Sequence, residues 1–116
     1  SWLRDRGEKA DLVASVCTGS ALIAEAGLLN GRKATTNKFA FKQIERKYSE
    51  VDWVREARWV DDGDRCTSSG VTAGMDMSLY LIERLFGEKT AERITNGTEY
   101  AWSRDAAQDP FAFLAE

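Results

Sequence analysis

The chain has 116 residues, 43% of them hydrophobic and 30% charged, and a formal charge of −3, the balance of one ordinary globular domain. Basic and acidic residues are interleaved throughout, which argues against a nucleic-acid partner, and no apolar run is long enough to cross a bilayer. No charged-then-apolar leader opens the sequence, so the cytoplasm is the default location. Histidine is absent, so a Cys–His dyad, a Ser–His–Asp triad or a histidine-rich metal site cannot be built from these residues alone. Two cysteines, Cys17 and Cys66, make neither a disulfide framework nor a zinc spacing.

Residues 1–10 are highly charged around Trp2 and Leu3 and read as the end of a helix stopped at Gly7. Residues 11–16 (DLVASV) are a short β-favouring run of the length of a buried parallel strand. This run enters the small-residue turn Cys17-Thr18-Gly19-Ser20. Residues 21–26 are rich in Ala and Leu and favour helix, with Gly27 as the stop. A turn at residues 28–31 leads to a second short strand over 33–36. Asn37 is placed to cap a helix over 38–48, where Phe41, Ile44 and Tyr48 share a face.

Two β-rich runs, 54–60 and 65–68, flank Asp61-Asp62-Gly63-Asp64 and read as a hairpin. A small-residue loop over 69–74 precedes an apolar helix over 75–86, ended by Gly87. Its apolar residues extend beyond one face, so it is expected to be buried on more than one side. A more polar helix follows over 88–100, then a tail holding Trp102, Pro110, Phe111 and Phe113. No repeat or linker interrupts the chain.

The chemistry concentrates at Cys17. A strand that turns abruptly into a helix lifts the turn residue above the sheet edge, and the helix start offers unpaired N–H groups and partial positive charge. A thiolate is favoured there. The N–H groups of Thr18 and Gly19 could hold an oxyanion forming on a substrate, and the Thr18 hydroxyl could relay a proton. Gly19 is expected to let the turn fit closely. From spacing alone a second reading stands beside this one, because a free cysteine in apolar surroundings is usually inert packing. For Cys66, inside a strand with no turn, the inert reading prevails.

The run SVCTGSALIAEAGLLNGRKATTNKFAFK resembles the ThiJ/PfpI superfamily. ARWVDDGDRCTSSGVTAGMDMSLYLIERLFG and ERITNGTEYAWSRDAAQDPF are similar to the branch that includes isonitrile (isocyanide) hydratases. The resemblance implies an α/β three-layer sandwich with a mainly parallel sheet, like class I glutamine amidotransferases and flavodoxin. It makes Cys17 the nucleophile and gives Thr18 a part in catalysis, with no metal or organic cofactor and a small-molecule electrophile as partner. Many relatives carry histidine where Asn37 stands. A neutral amide positions a ligand or water but is no general base, and a helix cap is an equally good role for it.

In the family the nucleophile turn lies past the middle of the fold, and preceding units supply central strands and an acid that contacts the cysteine. Residues 1–116 are therefore expected to be the C-terminal portion of a single domain, incomplete at its N-terminus. The missing part would belong to the same protein or to another chain, and a homodimer is expected. Alone, the chain would expose a sheet face and an unpaired edge, so poor solubility or obligate association is anticipated.

Ser68, Ser69 and Gly70 would by this resemblance approach the nucleophile, against the alternative of an ordinary polar turn. Asp76 reads as an acid favouring its helix dipole, and Glu25 as solvated. Asn96-Gly97-Thr98 matches a glycosylation acceptor but lacks a secretory context. Trp53 and Trp59 read as core or interface, and the tail aromatics as packing or a subunit contact. The leading reading is hydration of a small electrophile such as an isonitrile. A glyoxalase-like or hydrolytic activity and a redox sensor oxidised at Cys17 are the rivals. A regulator's ligand-sensing half is weighed against, because no basic helix-turn-helix segment follows the tail.

Overall fold

The computed structural model describes all 116 residues, Ser1–Glu116. Helix α1 (Trp2–Lys9) opens the chain, and the Ser1 hydroxyl caps it by accepting the Arg4 N–H at 3.2 Å. Gly7 does not stop this helix. It is buried inside it, where a Cβ would collide with the Leu28 side chain, so glycine serves close helix packing rather than termination. Ala10 turns extended and leads into strand β1 (Val13–Val16).

After β1 come helix α2 (Gly19–Glu25), strand β2 (Lys33–Ala34), helix α3 (Phe41–Lys47) and strand β3 (Asp52–Trp53). The hairpin of β4 (Trp59–Asp61) and β5 (Arg65–Ser68) is followed by helices α4 (Val71–Phe86) and α5 (Glu88–Thr98). A short 3-10 turn, Ala112–Ala115, closes the tail.

β5 is the centre of a three-stranded sheet of order β1-β5-β4, parallel to β1 and antiparallel to β4. β2 and β3 form a second, two-stranded parallel pair. All four β5 residues are buried, and their alternation sorts the layers. On one side the Arg65 Nε donates to Leu28 O at 3.1 Å, and Thr67 Oγ1 accepts the Thr35 N–H at 2.8 Å. Here the larger core gathers Ile23, Leu29, Phe41, Ile44, Val51 and Trp53. On the other side Cys66 joins Trp59 and Met77 in a smaller cluster against α4. The expected α/β layered sheet is thus present, flavodoxin-like and mixed.

Three expected bounds shift, each for a local reason, and one strand is new. α3 starts at Phe41 because Asn37 is no helix cap: its Oδ1 accepts the Phe39 N–H at 2.9 Å in a tight local turn, and Ala40 takes the cap position. Residues 54–58 are not strand, since Val54 N–H donates to Ala34 O at 2.7 Å and Arg58 N–H to Ala106 O at 2.7 Å. Helix α4 begins at Val71, four residues early, with Gly70 as its cap. Strand β3 was not expected; two residues are too few to show a period.

β1 is an edge strand paired only to β5, and its Val16 is 40% exposed. Leu22, Val71 and Met75 are exposed as well. The expected open edge and uncovered apolar surface are both there. No helix is long and apolar enough to cross a membrane.

Candidate active site

β1 delivers Cys17 to the sheet end, and the backbone there takes an unusual shape. Cys17 has φ of 60°, one of two non-glycine residues with positive φ, a region costly to any side chain and frequent where function requires it. Four bonds hold it. The Cys17 N–H donates to Ser69 O at 2.8 Å and Ser68 O at 3.1 Å. The Cys17 carbonyl accepts from Thr36 Oγ1 at 3.0 Å and from Ser20 Oγ at 3.3 Å. The thiol is free and half-buried. Thr18 caps α2 without a side-chain capping bond, so its hydroxyl is uncommitted, and the residue is exposed.

Gly19 does not supply the close fit expected of it. A Cβ there would meet only Ser15 Cβ at 3.7 Å, an ordinary contact. The close approach is made by Gly74 of α4, where a Cβ would lie 2.6 Å from Val16 Cγ1. This lets the helix press against the last residue before the turn.

Asn37, Ser69 and Gly70 come together, lining a cavity of about 210 Å³ with Lys38, Arg58, Asp109 and Phe111. Cys17 does not line it. The cavity lies behind the clamp on the Cys17 main chain: Ser69, whose carbonyl holds Cys17, forms part of its wall. No cluster of three His, Cys, Asp or Glu side chains could hold a metal ion.

Lys38 and Asp109, a buried charge pair in this region, were missed from the sequence. Lys38, 3% exposed, donates from Nζ to Thr35 Oγ1 at 3.1 Å, Thr36 O at 3.2 Å, Ala57 O at 3.0 Å and Ser69 Oγ at 3.0 Å. Asp109 Oδ2 lies 3.1 Å away but accepts no hydrogen bond, because four acceptors already compete for three protons; the contact is between charges. Burial pulls the Lys38 ammonium below the usual lysine range, with Asp109 partly offsetting it. Asp76, fully buried, is more than a dipole partner. It takes two bonds from Arg58, one from Tyr100 Oη at 2.9 Å and one from Ser103 N–H at 3.0 Å, tying the tail to α4. In sequence Lys38 is a single charge within an amphipathic stretch, where the solvated reading prevails, and Asp76 reads only as an acid favouring its helix dipole.

Cys66 contrasts with Cys17. It is fully buried, and burial followed by the Asp61 charge pushes its thiol up to about 11. Trp59 and Trp53 are core, while Phe111 and Phe113 stay exposed.

With this geometry the family model of the DJ-1/PfpI family matches residues 1–84. The chain belongs to the DJ-1/PfpI family. It is 38% identical over 100 residues to isonitrile hydratase of Pseudomonas putida, covering 86% of this chain and 42% of that protein. Over 94 residues it is 35% identical to the HTH-type transcriptional regulator CdhR of Pseudomonas aeruginosa, covering 81% of this chain and 28% of the regulator. Among solved structures, a ThiJ/PfpI family protein from Pseudomonas syringae superposes with a TM-score of 0.78 at 35% identity, covering 88% of this chain and 41% of the other. The chain thus spans less than half the length of each of these DJ-1/PfpI relatives.

Proposed function

We propose that residues 1–116 are the C-terminal portion of a DJ-1/PfpI domain that hydrates a small electrophile, with Cys17 as nucleophile. The observation that carries this reading is the left-handed Cys17 turn at the start of α2, held at φ 60° by bonds from both sides. Backbone strain that the surroundings overdetermine accumulates at reacting groups. An isonitrile is the substrate class supported by the 38% identity to the hydratase.

The thiolate sulfur attacks the terminal isonitrile carbon, forming a C–S bond as that carbon takes a proton. The thioimidate then adds water at the same carbon, and its nitrogen takes a proton. The C–S bond breaks, the hydroxyl gives up its proton, and an N-substituted formamide leaves with Cys17 returned as thiolate. In sum, one water is added to one isonitrile. The Thr18 hydroxyl, which makes no capping bond, is assigned to pass a proton. Its N–H and that of Gly19 are assigned to stabilise charge developing on the substrate. With no histidine in the chain, the acid that manages the proton is assigned to the rest of the protein. Asn37 is assigned to positioning, since its amide cannot serve as a base.

The test is steady-state turnover of an aryl isocyanide by the full-length protein and its Cys17→Ala variant, following the formamide. Turnover lost in the variant supports the reading; none in the wild type, or equal rates in both, defeats it.

A second reading is the ligand-sensing unit of a transcriptional regulator, favoured by the 35% identity to CdhR. Sequence reasoning weighed against it from where the tail stops, but the matched part of CdhR is itself only 28% of that protein. Saturable binding of a small molecule without turnover would favour it.

A further inference from the structure

Lys38 is the buried group that the proposed chemistry leaves unused, and its bonds converge on the nucleophile turn. Of the residues it grips, two also hold the Cys17 main chain. Ser69 accepts the Lys38 ammonium at Oγ (3.0 Å) and the Cys17 N–H at its carbonyl (2.8 Å). Thr36 accepts the ammonium at its carbonyl (3.2 Å) and donates its hydroxyl to the Cys17 carbonyl (3.0 Å). One cation therefore joins the two jaws of the clamp that keeps Cys17 at φ 60°. The same ammonium reaches Asp109 of the tail at 3.1 Å.

We propose that Lys38 is a positioning residue for Cys17, and that through Asp109 the tail takes part in holding the nucleophile turn. The proposal deepens the reading of Cys17 as nucleophile and rests on it. Without the ammonium, Thr36 and Ser69 lose their common anchor, the strained turn relaxes, and the thiol leaves its place at the start of α2. A lysine acting only as a core staple would alter stability throughout, without singling out the Cys17 backbone.

The experiment uses two readouts on the full-length protein: the rate of Cys17 alkylation by iodoacetamide, resolved by peptide mass, and the NMR three-bond coupling between the Cys17 amide and Hα, which reports φ. Lys38→Met is combined with Asp109→Asn, so that no carboxylate is left buried without a counter-charge. Ser69→Ala, which keeps the carbonyl and removes only the hydroxyl gripped by Lys38, serves if the double variant does not fold.

The expected result is a fall in alkylation of about tenfold in the double variant, within what one residue held in a sparse backbone region is worth. Ser69→Ala should show a smaller fall, and the Cys17 coupling should leave its wild-type value in both. Ile44→Val, a distant core change, should move neither readout. Unchanged rate and coupling in the folded variants overturn the proposal. A shifted coupling with wild-type Cys17 no faster than free cysteine keeps the clamp and overturns the nucleophile reading instead.

Discussion

The two cysteines belong to neighbouring strands of one sheet, Cys66 within β5 and Cys17 just past the end of β1, yet their surroundings are opposite. Cys66 sits within β5 facing α4, fully buried against Trp59 and Met77. Its thiol donates to Asp61 Oδ1 at 3.6 Å, with Arg84 Nη1 3.8 Å from the sulfur. A negative neighbour and a dry site both keep the proton on sulfur. Cys17 stands one residue past the end of β1, half-buried, on a backbone forced to positive φ. Residue type therefore says little about cysteine chemistry. What differs between them is the place: one inside a buried strand, the other just beyond a strand's end.

Five substitutions would break or sharpen this contrast. The largest effect is expected at Cys17 itself: Cys17→Ala should lower hydration of an aryl isocyanide by at least about 10³-fold in kcat/KM, as loss of a nucleophile does. Cys66→Ala should leave the rate within about twofold. Steady-state kinetics of the two variants side by side checks the pair.

The next effect falls on stability and belongs to Cys66. Its folded value, about 11, lies above the ordinary 9.0, so the folded state holds the proton that the unfolded state releases. This stabilisation is complete below about pH 9 and is lost as pH rises toward 11, a contribution of up to about 3 kcal/mol. Tyr80, raised to about 12 first by its bond to Asp61 and then by burial, adds a later loss in the same direction. Urea midpoints from pH 8 to 10.5 should fall in the wild type and fall less in Cys66→Val, whereas parallel curves would contradict the assignment.

A smaller effect is expected at Gly74. Gly74→Ala brings a methyl against Val16, which is partly exposed and can yield, so the cost should be about 1 kcal/mol. Because Val16 precedes Cys17, the variant should also slow Cys17 alkylation while the buried Cys66 stays unmodified. The smallest effect is expected for Thr18→Val, which removes an exposed hydroxyl. Stability should stay within about 0.5 kcal/mol of wild type, and hydration should slow about tenfold through loss of the proton relay.

Much of the layered fold was legible because the relevant signals are local. DLVASV running into CTGS announces a strand, a turn and a helix, and the Asp-Gly of residues 62–63 announces the β4–β5 hairpin. What stayed hidden depends on contacts distant in sequence. Gly7 looks like a helix stop until Leu28 is seen packed on it. Asn37 looks like a cap until its side chain closes on Phe39 N–H and leaves Lys38 free to turn inward. Lys38 and Asp109 are 71 positions apart, and nothing in either segment announces that they meet. The Cys17 turn was legible as a strand-to-helix turn, but the clamp behind it was not, since Thr36 and Ser69 reach it from separate loops.

The most direct measurement is site-resolved alkylation of the native protein by iodoacetamide at neutral pH, with peptide mass mapping of both cysteines over time. The account predicts that Cys17 is modified well ahead of Cys66 and faster than a free cysteine in the same buffer. Equal modification of the two thiols, or a Cys17 slower than free cysteine, would contradict it.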